Sequence, residues 1–303
     1  EAGGINNVAI GDNAGTAITT GDHNTAVGKD ALLSNTTASN NTAVGIESLM
    51  CNTTGTANLA LGAYAMCKNT TANNNTAVGA AALLANTTGA NNTGVGKDSL
   101  IANTTGANNV AVGYLSLDAN TTGATNVAMG RGSLGANTTG SCNVAIGDLA
   151  LVAATTVSQN TAIGMLSMTA TTSGIRNTAV GRQSMCANTT GCCNVAMGSN
   201  ALASGTTGDF NVAVGGASLG SINTGNDNTA VGACAMNTNT SGCQNTAIGK
   251  DALIANTTGY SNTAVGRASL AVNTTGICNV SVGRTALDAN TTGDFNTAVG
   301  NSA

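Results

Sequence analysis

The chain has 303 residues, of which 2% are aromatic and 7% are charged; it contains no Pro and no Trp, and its formal net charge is −4. Large side chains fill the core of an ordinary globular domain, so this composition argues against one, and the missing Pro excludes collagen. The charge excludes a basic footprint for nucleic acid. No apolar run reaches the roughly 20 residues that cross a bilayer, so we expect no membrane insertion.

One 17-residue unit repeats along the whole chain without an insertion or a deletion. A Gly follows an aliphatic residue 18 times, the first being Gly11 and the last Gly300, and an Asn stands four residues before each of them. Residues 24–40, NTAVGKDALLSNTTASN, are a typical unit. A unit this short cannot bury its own apolar face, so each unit must stack on its neighbours.

The second to fourth residues of each unit alternate as in a β-strand. Thr25 and Val27 share one face of the predicted strand, and Ala26 takes the other. Gly28 and residues 35–37 mark turns, because Gly and Asn tolerate positive φ. The sequence therefore predicts an all-β fold, a parallel β-solenoid (β-roll) with one 17-residue coil per repeat and about 18 coils. Residues 1–303 are expected to form this single array, a rod of roughly 85 Å.

Three positions of the unit are expected to fill the interior. The second is Thr or Val, with one Leu; the fourth is always aliphatic; the ninth is Leu or Met in every unit except the first, which has Gly15. The third position is Ala in 16 of 18 units, with Gly94 and Ser281 as the exceptions. An exposed position would drift towards polar residues, so we expect these Ala residues to pack against other copies of the chain. The alternative is a monomer in which this row of Ala residues contacts no partner.

We call these alanines the Ala file and predict that they form a trimer interface: Ala26, Ala43, Ala60, Ala77, Ala111, Ala128, Ala145, Ala162, Ala179, Ala196, Ala213, Ala230, Ala247 and Ala264.

Asn and Thr also recur in register. Stacked Asn and Thr side chains can hydrogen-bond along the axis and satisfy the backbone of the turns. A structural Asn ladder is therefore predicted at the first position, through Asn24, Asn41, Asn58, Asn75, Asn92, Asn109, Asn126 and Asn143. The alternative is an ice-binding surface, for which Asn35 and Thr37 would have to form a flat double file.

The Asn residues match the N-glycosylation acceptor pattern at 15 places. Twelve lie in the Asn-Thr-Thr/Ser stretch, and three more are Asn40, Asn74 and Asn91. Because the match follows largely from the stacking pattern, it does not by itself predict occupied sites.

Charged residues concentrate at one corner of the unit. Seven of the nine basic residues occupy the sixth position and four acids the seventh. We interpret this as a solvated corner with alternating charge. A polyanion-binding stripe is the sharper alternative, but Asp12, Asp148 and many neutral residues interrupt it.

Residues that could support catalysis or metal binding are few. No two of the nine Cys are 17 residues apart, the spacing that would stack them; Cys51 and Cys67, 16 apart, are the only near-diagonal candidates for a bridge between coils. None has a zinc-ligand spacing. His23 is the only His and is expected at a solvated edge, and no nucleophile–base pair is present. We therefore expect a protein that is not an enzyme, with no catalytic residues, metal or cofactor.

The run Asn-x-Ala-Val/Ile-Gly followed by Ala-Leu resembles the head repeats of trimeric autotransporter adhesins. The longer unit, seen again in residues 245–261 as NTAIGKDALIANTTGYS, is similar to repeats of phage tail fibres and related bacterial surface fibres. The resemblance implies a left-handed coil and a homotrimer with the Ala file at or near the shared axis. The unit here is longer than the usual autotransporter repeat.

The sequence thus predicts the shaft of an extracellular, cell-surface or virion fibre. It would act as a rigid spacer that could also bind a cell-surface receptor or a glycan. The chain has no initiator Met and stops within a unit, so we expect an interior fragment of a longer fibre. An ice-binding solenoid and a self-assembling surface filament are the alternatives.

Overall fold

The computed structural model describes residues 4–303 as an all-β parallel solenoid. The chain divides into two compact units, Glu1–Ser158 and Gln159–Ala303. Each unit contains nine strands of three residues, and every strand occupies the second to fourth positions of its coil. The predicted fold class is confirmed: consecutive coils of 17 residues pair in parallel within each unit.

The strands of the first unit are β1 Val8–Ile10, β2 Thr25–Val27, β3 Thr42–Val44, β4 Leu59–Leu61, β5 Thr76–Val78, β6 Thr93–Val95, β7 Val110–Val112, β8 Val127–Met129 and β9 Val144–Ile146. Those of the second unit are β10 Thr161–Ile163, β11 Thr178–Val180, β12 Val195–Met197, β13 Val212–Val214, β14 Thr229–Val231, β15 Thr246–Ile248, β16 Thr263–Val265, β17 Val280–Val282 and β18 Thr297–Val299.

Each strand residue pairs with the residue 17 positions later, which occupies the same position in the next coil. Thr25, Ala26 and Val27 of β2 pair with Thr42, Ala43 and Val44 of β3, so like residues stack on like. The turns continue the same pattern: the backbone N–H of Leu32 donates to the carbonyl of Ser48 at 3.1 Å. Because strands and turns both bond to the next coil, most of the backbone is paired along the stacking direction.

Two kinds of backbone bend close each coil. The Gly after every strand has a φ near +130°, and the seventh, ninth and seventeenth residues adopt left-handed φ values of about 48–64°. The ninth residue is a Leu or Met in most coils, although large side chains seldom adopt this conformation. Its side chain turns inward as a result, and the side chains at this position from Leu32 to Leu270 are at most 1% exposed. The prediction that the ninth position fills the interior is confirmed.

The two faces of the strand are the reverse of the predicted ones. The third residue points inward, whereas the second and fourth residues are partly exposed. At Gly94, which replaces Ala in β6, an added Cβ would lie 3.4 Å from Cγ of Leu83 and 3.0 Å from Oγ of Ser99. The interior is so narrow that a Leu from the ninth position leaves room for only a methyl group on the strand, which explains the Ala at this position.

Candidate interaction surface

The outward side of the strands carries an uncharged surface in both units. We define the sheet face as the side chains at the second and fourth strand positions. The second is Thr, Val or Leu, and the fourth is Val, Ile, Leu or Met throughout. Several of these side chains are well exposed, among them Leu61 at 44%, Met197 at 45% and Ile248 at 43%. The sheet face is therefore aliphatic with interspersed Thr methyl groups.

The sheet face is large for an exposed patch. Each of the nine coils in a unit adds two partly exposed side chains, so the sheet face is one continuous apolar strip of 18 side chains. Contiguous exposed apolar surfaces of this kind mark protein–protein interfaces. Charged residues are depleted from the centres of such interfaces, and here they are absent.

The structure corrects the place of the predicted trimer contact. All 14 residues of the Ala file are 0% exposed within the single chain, because they point into the interior of the coils. A side chain with no exposed surface cannot touch a second chain. The Ala file is therefore part of the interior, and any contact between copies along the strands has to be made by the sheet face.

The predicted Asn ladder is present as a continuous buried hydrogen-bond chain. Oδ1 of Asn24 accepts the backbone N–H of Asn41 at 3.0 Å, and Oδ1 of Asn41 accepts that of Asn58 at 3.0 Å. Nδ2 of Asn41 donates to the carbonyl of Gly55 at 2.9 Å, across its own coil. Each of these amides thus joins two coils and closes the turn, while its polar atoms are satisfied away from water.

A second Asn ladder was not predicted. It uses the twelfth position, where Nδ2 of Asn52 donates to Oδ1 of Asn35 at 2.9 Å and to the carbonyl of Gly55 at 2.9 Å. The same Gly55 carbonyl thus accepts from both ladders. The sequence signal was the regular Asn of the Asn-Thr-Thr stretch, which fits a surface turn equally well. Its burial follows only from the path of the coil.

Most of the N-glycosylation acceptor motifs lie in the buried second ladder. The 12 Asn residues of the Asn-Thr-Thr/Ser stretch occupy its positions, and those such as Asn35 and Asn103 have no exposed surface. Their Nδ2 atoms already donate within the interior, so a glycan on them is incompatible with the folded coil. Asn40, Asn74 and Asn91 lie instead at the exposed seventeenth position.

The Thr residues of this stretch divide into two files. At the thirteenth position the hydroxyl donates to the backbone of the next coil, as from Oγ1 of Thr53 to the carbonyl of Thr70 at 3.1 Å. At the fourteenth position the side chains, Thr37 among them, are exposed. The flat double file of Asn35 and Thr37 does not form, because Asn35 is buried. A single exposed Thr file remains on this side of each unit.

The charged corner carries mixed charge. Lys97 Nζ lies 3.2 Å from Oδ2 of Asp98 and 5.6 Å from the centre of the Tyr114 ring. Arg131 donates from Nε and Nη2 to the two carboxylate oxygens of Asp148, at 2.8 and 3.0 Å. These hydrogen bonds lower the pKa of Asp148 and raise that of Arg131. Basic groups that are paired in this way do not form a continuous polyanion-binding stripe.

Sites for small ligands are not found in the described part of the chain. Residues 4–303 contain no detectable cavity, and no cluster of three or more His, Cys, Asp or Glu side chains that could hold a metal. His23 lies at an exposed seventeenth position, where its Nε2 is 3.2 Å from Nδ2 of Asn6. Within the same residues no helix is long and apolar enough to span a membrane. The sheet face and the exposed Thr file remain as candidate surfaces.

Comparison with protein-family models gives no match to this chain, and comparison with curated proteins gives no significant sequence similarity.

Proposed function

We propose that the protein is a structural shaft segment of an extracellular or virion fibre, and that it assembles with copies of itself through the sheet face. The observation that carries the proposal is the uncharged, partly exposed sheet face, which recurs on every coil of both units. Burial of such an aliphatic surface between copies of the chain stabilises their assembly, because apolar groups are removed from water.

The periodicity of the sheet face favours another copy of the same chain as its partner. Parallel strands follow each other at about 4.8 Å, so side chains on this face repeat at that spacing. A partner with another spacing would fall out of register after a few coils, whereas a second copy matches every coil. Three copies are proposed because the repeats resemble those of trimeric autotransporter heads and phage tail fibres, in which coils of this kind pack as trimers.

The interior supports a mechanical role. Within each unit, neighbouring coils bond through strand and turn backbone and through the first Asn ladder, and most also bond through the second. To bend or stretch such a stack, several of these bonds would have to break together. A shaft that separates a binding tip from its anchor needs this stiffness, and a receptor or glycan could bind the variable residues on the remaining sides.

Charged substitutions on the sheet face test where the copies meet. A Val78→Lys/Val112→Lys variant places two ammonium groups on this face, and a Thr88→Lys/Thr122→Lys variant places two on the exposed Thr file. Sedimentation velocity is expected to show the first as a folded monomer and the second as a trimer like the unmodified protein. The proposal that the copies meet at the sheet face is refuted if both variants remain trimers, or if both dissociate.

The same preparations separate the alternatives. A surface filament would grow with concentration to no fixed size, which sedimentation detects. Ice binding is the second candidate, and the specific observation in its favour is the exposed Thr file at the fourteenth position. Thermal hysteresis that disappears in the Thr88→Lys/Thr122→Lys variant would identify it; the fibre proposal predicts none.

A further inference from the structure

Two of the nine cysteines meet across neighbouring coils. All nine are free thiols in the structure. The backbone N–H of Cys51 donates to the carbonyl of Cys67 at 3.0 Å, so the two residues are direct neighbours in adjacent coils. Adjacent parallel segments lie about 4.8 Å apart, which is within the range of Cα separations that a disulfide can bridge.

The two thiols differ in their surroundings. Cys51 is half-buried, whereas Cys67 is only 8% exposed, and its Sγ lies 4.0 Å from Oε2 of Glu47. The pKa of Cys67 is raised to about 11, chiefly by burial and also by Cys51 and the Glu47 carboxylate, against a smaller lowering by Lys68. Cys51 is therefore the thiol that a reagent in solution reaches first, and Cys67 is placed to react with it.

We propose that Cys51 and Cys67 are a disulfide-forming site that links two consecutive coils covalently when the protein meets a low-molecular-weight disulfide. The deprotonated sulfur of Cys51 attacks the reagent, forms a mixed disulfide and releases one thiol. Cys67 then loses its proton and attacks Sγ of Cys51, which expels the second thiol. Two protein thiols are oxidised to one disulfide, and one reagent disulfide is reduced to two thiols.

Such a bond would join two neighbouring coils covalently, at a place where the structure has only non-covalent contacts between them. It closes the chain between residues 51 and 67, which is almost one complete coil. A cross-link of this kind stabilises mainly by restricting the unfolded chain. The proposal is independent of the oligomeric state and of the proposed function.

Peptide mapping tests the site directly. The folded protein is treated with glutathione disulfide, its remaining thiols are alkylated, and it is then denatured and digested with trypsin. The tryptic peptide of residues 30–68 contains these two cysteines and no other. We expect it to lose two hydrogen atoms and to resist alkylation. Cys142, which is exposed and lies in another peptide, should carry glutathione or the alkylating group.

Two controls keep the result specific. Cys51→Ser should leave Cys67 reduced, and it should fold normally because Ser34 already occupies the equivalent position. In urea the preference for the 51–67 pair should disappear. The proposal is overturned if the folded protein keeps residues 30–68 doubly alkylated, if glutathione remains on Cys51 unresolved, or if closure is equally fast in urea.

The rate of closure provides a second readout. Only the thiolate of Cys67 attacks, so the resolving step should accelerate about tenfold per pH unit below the pKa of about 11. Glu47→Gln removes a negative charge beside Cys67 and should speed closure at pH 8, whereas Lys68→Gln should slow it. A rate that neither substitution changes would contradict the assigned roles.

Discussion

Asn137 and Ala154 occupy the same position in successive coils, and Oδ1 of Asn137 is buried without a hydrogen-bond donor because Ala154 has no side-chain amide. One coil earlier the ladder is intact, with Nδ2 of Asn137 donating to Oδ1 of Asn120 at 2.9 Å. The same break occurs where Gly205 follows Asn188, whose Oδ1 is also unpartnered. In the second Asn ladder, each Oδ1 therefore depends on the side-chain amide of the next coil. Each interruption leaves one Oδ1 without a donor.

Ala154→Asn is expected to stabilise the protein. The new Nδ2 can donate to Oδ1 of Asn137, as Asn52 does to Asn35. Supplying a partner to a buried acceptor should raise the free energy of unfolding by about 1 kcal/mol, measured by denaturant titration. Ala153→Asn, one residue away and outside the ladder, is the matched control and should change little. A destabilised Ala154→Asn would show that the interior has no room for the amide.

Two adjacent glycines should respond in opposite ways to the same substitution. Gly215 has a φ of +130°, and an added Cβ would lie 2.6 Å from the carbonyl oxygen of Gly232 in the next coil. At Gly216 the nearest atom to an added Cβ is 3.9 Å away. Gly215→Ala should therefore cost about 3 kcal/mol, and Gly216→Ala should be neutral or slightly stabilising. Equal effects in thermal unfolding would refute this explanation of the repeat Gly.

The left-handed seventeenth position predicts a reciprocal pair of substitutions. Thr125 has a φ of 59° and Asn74 a φ of 60°, and both side chains are exposed. Thr is β-branched and disfavoured there, whereas Asn is tolerated. Thr125→Asn should stabilise by about 0.5–1 kcal/mol, and Asn74→Thr should destabilise by a similar amount. If both changes have the same sign, backbone conformation does not govern this position.

Asp118 should make stability depend on pH. Its pKa is raised chiefly by burial and further by Asp98, against a lowering by its own backbone. A raised carboxyl pKa means that folding is favoured while the group is protonated, and that this contribution is lost as the pH rises through the folded-state pKa. Asp118→Asn should thus stabilise the protein at pH 7, and the gain should vanish below the ordinary Asp value of 3.8.

The control for Asp118 is Asp288→Asn, the same substitution at the same position of an exposed coil. Thermal unfolding of the two variants and the unmodified protein between pH 3 and 7 provides the comparison. A gain for Asp118→Asn that stays constant across this range would exclude ionisation as its cause.

Much of the fold could be predicted from the repeat in the sequence alone. The strict spacing of Asn and Gly predicted the coil length, the strand position and the stacking register, because a slip of one residue would reverse every side chain. Alternation at Thr25, Ala26 and Val27 defined two faces of a strand, but it did not say which face is inside. That depends on the space left by Leu32 from the opposite side of the coil, a tertiary property.

Two other features were beyond sequence reasoning for related reasons. The left-handed conformation of Leu32 runs against the usual preference of large residues and persists because stacked coils constrain it. The buried ladder through Asn35 uses residues that occur equally in exposed turns. The surface for self-association was predicted from the constancy of Ala, yet that constancy reflects a narrow interior. The sheet face varies more, since its members need only remain apolar or Thr.

The molar mass of the unmodified protein tests self-association through the sheet face most directly. Sedimentation equilibrium over a hundredfold dilution at micromolar concentrations measures it without reference to shape. We expect three times the chain mass of 29.1 kDa, with no dissociation on dilution, because a buried aliphatic face of this size should hold the copies together. A mass of 29.1 kDa at every concentration would contradict the account, since the sheet face would then remain exposed to water.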